Sequence, residues 1–119
     1  MRSIALAICL AALGCGGAQS VSPTLGTPAT HVTGREARSL VAHGAVLLDV
    51  RSEFEYAIGH LDGAINIPVD DLPRRTSELD PHASIVVYCL SGHRSEQAGR
   101  VLTGAGFDHV RDLGSITSY

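Results

Sequence analysis

The segment Ser84-Ile85-Val86-Val87-Tyr88-Cys89-Leu90-Ser91-Gly92-His93-Arg94-Ser95 runs from apolar residues through a polar loop into an amphipathic stretch. Residues 84–88 are a short continuous apolar run, the pattern of a strand buried on both faces. Residues 95–104 set Ala98, Val101 and Leu102 at helical spacing, so a helix follows. Cys89 therefore stands at the carboxyl end of a buried strand, at the base of a short loop. If the loop curls round the sulfur, successive backbone N–H groups point at it, and the helix adds its positive N-terminal end. Gly92 permits the positive φ or close backbone approach that such a curl demands. Helix N-termini and nearby cations favour the thiolate over the thiol, and the same cradle would hold a persulfide anion. His93 and Arg94 offer donor or cationic groups to an anionic sulfur donor. A free cysteine can also pack as a small hydrophobe, but a strand-end position followed by Ser91-Gly92-His93-Arg94 fits that role poorly.

Upstream, strand and helix patterns alternate. Thr33-Gly34-Arg35-Glu36 fits a capping box, and Ala37, Leu40 and Val41 continue it as an apolar stripe that Gly44 can end. Residues 45–50 form a second apolar run of strand length. Residues 52–58 predict a short helix stopped by Gly59, and residues 64–67 a short strand stopped by Pro68. Residues 70–79 predict a weak helix with Pro73 near its start, where proline is tolerated. Residues 109–111 are a last short strand. This order predicts an α/β domain with a mainly parallel central sheet and helices on both faces. Ligands of such sheets sit beyond the carboxyl ends of the strands. The two strongest strands end in Asp49-Val50-Arg51 and in the Cys89–Arg94 loop, which is where chemistry is expected.

Length and charge narrow the classes. The chain has 119 residues, room for one domain, and a formal net charge of −3. No broad basic field is present, which weighs against nucleic-acid binding. All 9 basic residues are arginine, a composition bias without functional content. Of the three cysteines, Cys9 and Cys15 lie in the N-terminal apolar segment, which leaves Cys89 without a cysteine partner in the globular body. No Cys/His grouping has metal-ligand spacing, so neither structural zinc nor a cofactor is expected.

Residues 1–14 place one arginine ahead of a short apolar run that ends in small residues. That is the layout of a secretory signal, too short for a stable membrane span. The run closes on Ala12-Leu13-Gly14-Cys15-Gly16-Gly17, which resembles a bacterial lipobox with Ala12 in place of the usual leucine. Processing there makes Cys15 a lipidated first residue and anchors an exported, periplasmic or cell-envelope protein to a membrane. A plain signal peptide cut nearby is the alternative. Residues 15–30 read as a flexible tether rich in Gly, Pro, Ser and Thr, and residues 31–119 as the folded body.

Several motifs in order carry a family resemblance. They are Leu48-Asp49-Val50-Arg51, then Glu55-Tyr56-x-x-Gly59-His60-Leu61-x-Gly63-Ala64-Ile65-Asn66-Ile67-Pro68, then Cys89-x-x-Gly92-x-Arg94, and finally Gly106-Phe107-x-x-Val110-x-x-Leu113-Gly114. Residues 31–119 thereby resemble the rhodanese family, most of all its small, exported, single-domain members. The resemblance implies a three-layer α/β sandwich and a double displacement in which a cysteine becomes a persulfide. On that basis Cys89 is the nucleophile and sulfur carrier, and Leu90, Ser91, Gly92, His93 and Arg94 line the anion pocket. Thiosulfate is a fitting small-molecule donor, and cyanide or a thiol a fitting acceptor. Arg51 either charges the pocket or holds Asp49 or the loop in an ion pair. His60 reads as a turn histidine in a structural hydrogen bond, with catalysis the lesser reading. Many members close on Gly-Gly and a tryptophan, a place Tyr119 can fill. A monomer is expected. A persulfide carrier or binding module acting with a protein partner is the rival reading. Cysteine phosphatases also hold an anion over a cysteine, but their loop needs five residues between cysteine and arginine, and here Leu90 to His93 supply four.

Overall fold

The computed structural model describes residues 24–119. The expected signal peptide, Cys9 and Cys15 lie outside those residues. Five strands form one sheet: β1 (Thr30–His31), β2 (Val46–Asp49), β3 (Ile65–Asn66), β4 (Ile85–Cys89) and β5 (Val110–Ser115). Their spatial order is β1-β5-β4-β2-β3, and every pairing is parallel. The connections carry α1 (Gly34–Ala42), α2 (Glu53–Ile58), α3 (Leu72–Arg75) and α4 (His93–Gly104).

Side chains on β4 alternate between two cores, as a pleated strand dictates. Ile85, Val87 and Cys89 join Leu48, Val50, Leu72, Ala98 and Leu102 on the face covered by α3 and α4. Val86 and Tyr88 join Leu47, Ala37 and Leu113 on the face covered by α1, with Tyr56 and Tyr119 packed at its margin. The three-layer α/β sandwich is thus present. Both α1 and α2 begin with a complete capping box, Thr33 with Glu36 and Ser52 with Glu55, which satisfies backbone donors that a helix start leaves open.

Three expectations shift. The weak helix at 70–79 shortens to α3, followed by a 3₁₀ turn at Thr76–Glu78. β5 extends to Ser115, well past the three residues expected. The tether expected over 15–30 is already part of the folded body from residue 24. Gly26 N–H donates to the Arg100 carbonyl at 2.8 Å, and Thr103 Oγ1 donates to the Thr27 carbonyl at 2.6 Å. This strap lies along α4 because that helix presents glycine where the strap crosses it: a Cβ on Gly104 would collide with the backbone of Thr24 and Gly26. Thr30 then pairs with Arg111 as the start of β1. Composition rich in Pro, Ser and Thr reads as flexible, and long-range backbone partners overrode it.

Candidate active site

β4 delivers Cys89 to the carboxyl edge of the sheet, on the α4 side, with the residue fully buried. Its Sγ accepts the N–H of Gly92 at 2.9 Å. Gly92 has φ +102° and immediately precedes α4. An L side chain in that conformation is strained, so glycine is what lets the loop turn its amide onto the sulfur. The Gly92 carbonyl accepts from Ser95 Oγ at 3.0 Å and from Glu96 N–H at 3.1 Å, which ties the loop to the first turn of the helix. The 12 residues of α4 aim their positive end at the same loop. On the far side stands a bulge in β5: Val87 pairs with Asp112 and Tyr88 with Gly114, so Leu113 is skipped. Bulges gather near functional sites, and this one lays Gly114 against Gly92.

The predicted pocket residues do not all converge. Leu90, Ser91 and His93 are exposed around the mouth. Arg94 turns to Glu55 on α2, with Nη1 donating to Oε1 at 2.6 Å and Nη2 to Oε2 at 3.0 Å. Glu55 holds the guanidinium above its usual range, with a smaller Coulombic contribution from Cys89. The Arg94 guanidinium in turn holds the Glu55 carboxyl down at about 2, with Ser52 adding to the effect. Arg51 lies in the ion pair that was one of its two expected roles. Its Nη2 donates to Asp49 Oδ2 at 2.6 Å and to the Gly59 carbonyl at 2.7 Å, while its Nε donates to Asp49 Oδ1 at 3.0 Å. His60 is exposed, stacks on Tyr56 with ring centroids 3.7 Å apart, and has Nδ1 at 2.9 Å from the Tyr56 carbonyl.

Two contributors were absent from the sequence-based site. Glu55 was legible only as a motif residue, although Ser52-x-x-Glu55 has capping-box spacing. Tyr88 was legible only as strand. Its buried hydroxyl donates to Asp49 Oδ2 at 2.7 Å and accepts the N–H of Leu61 at 3.1 Å. Burial first, and then the Asp49 hydrogen bond, push that hydroxyl's pKa up. A lone tyrosine in an aliphatic buried strand was the available signal, because a buried hydroxyl must find a partner. Asn66 closes the network by donating to the carbonyls of Asp49 and Arg51 at 3.0 and 2.9 Å.

Beside the loop lies a cleft of about 500 Å³, bordered by Ser91, Gly92, His31, Glu96, Gly114 and Ser115. A more apolar cleft of about 430 Å³ between the strap, α3 and α4 includes none of the loop residues. Among the described residues, no group of three or more His, Cys, Asp or Glu is placed to hold a metal ion.

Known proteins share this fold. The family model for the rhodanese-like domain matches residues 33–119. The provisionally named sulfur carrier protein YrkF of Bacillus subtilis (strain 168) is 39% identical over 64 residues, covering 54% of this chain and 35% of YrkF. The tRNA uridine(34) hydroxylase of Salmonella newport is 38% identical over 82 residues, covering 63% of this chain and 23% of that protein. The chain thus spans about a third or less of these curated relatives. Among solved structures, the human single-domain sulfurtransferase TSTD1 superposes with TM-score 0.64 at 30% identity, covering 79% of this chain and 93% of that one. A rhodanese with anions from E. coli gives TM-score 0.59 at 33% identity, covering 64% and 92%. With a family match that covers strands β2 to β5 and the Cys89 loop, the chain belongs to the rhodanese-like domain family.

Proposed function

We propose that this protein is a sulfurtransferase that moves a sulfane sulfur from a donor such as thiosulfate to cyanide or a thiol, through a persulfide on Cys89. One observation carries the reading: the Cys89 sulfur lies under the N-terminus of α4 and accepts the Gly92 amide at 2.9 Å. A backbone donor and a helix end stabilise negative charge on sulfur in both resting and loaded states. In the first step the Cys89 thiolate attacks the outer sulfur of thiosulfate. The S–S bond of the donor breaks, and sulfite leaves with the bonding pair. In the second step the acceptor attacks the outer persulfide sulfur, and Cys89 leaves as thiolate. Splitting the transfer in two lowers each barrier.

A carrier that hands its sulfur to one protein partner is the second reading. The exposed Leu90, Phe54 and Ile58, on the loop and on the helix that the loop contacts, favour it. The proposal extends to export and lipid anchoring through Cys15, supported by the lipobox-like Leu13-Gly14-Cys15.

Intact-mass analysis tests all of this. Thiosulfate should add one sulfur atom to the protein, cyanide should remove it, and Cys89→Ser should abolish both. A mass gain that survives the substitution, or no gain with any sulfane donor, would overturn the sulfur-transfer reading. Steady turnover with cyanide separates enzyme from carrier. In membranes of an expressing bacterium, the full chain should start at an acylated Cys15; an unmodified soluble chain would overturn the anchor.

A further inference from the structure

We propose that Glu55 is a specificity-determining residue: by cancelling the charge of Arg94, it makes the Cys89 site favour organic sulfane donors of at most one negative charge over the thiosulfate dianion. The inference rests on the reading of Cys89 as sulfur acceptor and names the donor class of that site.

Arg94 is the cation nearest in sequence to Cys89 in the loop, and a free guanidinium there would draw in any anion. It is not free. Both of its terminal nitrogens are engaged by both Glu55 oxygens, at 2.6 and 3.0 Å. The pair is about one-third exposed, at 34% and 28% for the two side chains, so it stands at the rim and not in the core. Glu55 is itself held in place, accepting from Ser52 N–H at 3.2 Å and Ser52 Oγ at 3.1 Å. The other arginine of the site, Arg51, is committed to Asp49. With both arginines paired, an incoming donor meets the Gly92 amide, the partial charge of the helix end and the His93 ring at the mouth. Exposed Leu90, Ser91 and His93 flank the mouth, with Leu90 54% exposed, and Phe54, 75% exposed, precedes Glu55 in the chain. A dianion approaching a thiolate meets twice the repulsion that a monoanion meets, and neither Arg51 nor Arg94 is free to offset it.

Benzenethiosulfonate and thiosulfate are the probes. Both deliver an outer sulfur to the Cys89 thiolate as their S–S bond breaks. The first releases benzenesulfinate and the second sulfite, each leaving with the bonding pair and with no proton moved. For the natural protein, kcat/KM should be higher with benzenethiosulfonate. Glu55→Gln frees the Arg94 charge while keeping an acceptor for the cap. Because Coulomb energy scales with donor charge, KM should fall by about tenfold for thiosulfate and about threefold for benzenethiosulfonate. Rates with thiosulfate should also become more sensitive to salt. Adding Arg94→Gln should erase the gain. A purely structural Glu55 would shift both donors by the same factor, and that result, an unchanged KM for both, or a gain that survives Arg94→Gln would overturn the assignment. If neither probe loads sulfur on the natural protein, the parent reading fails and this one with it.

Discussion

Arg51 and Arg94 show how one residue type serves two ends within one site. Arg51 is 6% exposed and is held by Asp49 and the Gly59 carbonyl. Removing one member of a buried pair leaves the other charge uncompensated, at a cost of about 3–5 kcal/mol. Arg51→Ala should therefore lower the urea midpoint of unfolding by a corresponding amount. Unchanged stability combined with a raised KM for an anionic donor would instead return Arg51 to the pocket. The sequence left those two roles open because Asp49 sits two residues away along a strand, and only the path of the loop decides whether the side chains meet.

At the scale of elements, α4 both positions the Cys89 loop and carries the strap of residues 24–29. Its start was legible within a few residues, since a glycine followed by polar residues and a helical stripe marks a boundary. The strap was not legible, because no local periodicity records a contact made to a helix some 75 residues away in the chain, such as that between Thr103 and Thr27. Alanine in place of a helical glycine ordinarily stabilises by roughly 0.5–1 kcal/mol. Gly104→Ala should do the opposite here, since the new methyl would meet the strap backbone. The expected outcome is a lower melting temperature together with faster hydrogen exchange at the Gly26 amide. A higher melting temperature with Gly26 still protected would show that the strap yields without loss.

Across the whole molecule, the Glu55–Arg94 pair ties α2 to α4 over 39 residues of chain and across neighbouring strands β2 and β4. Glu55 has an ordinary value of 4.5 and is held at about 2 in the folded state. Between those values the unfolded chain binds the proton and the folded chain does not. The stabilisation from Glu55 is therefore complete above 4.5 and is lost as pH falls through about 2. The pair is partly exposed, so solvent screening keeps the effect modest. Urea midpoints measured across this acid range should fall more steeply for the natural protein than for Glu55→Gln. Parallel slopes would show that the pair contributes nothing to folding.

Chain order, the alternation of strands with helices and the Cys89–Arg94 loop were determined by the sequence alone. Each rests on local rules, namely periodicity, capping residues and the glycine that permits a left-handed turn. Tertiary structure decided which side chains share a charge. The alternation of β4 sends Cys89 toward α4 and Tyr88 toward the opposite core, yet α2 reaches back over the sheet edge to meet Arg94. Coulomb interactions depend on distance through space, and no spacing along the chain encodes that distance. The cysteine was therefore readable from its own loop, while the partner of the loop's arginine was settled by a carboxylate on another element.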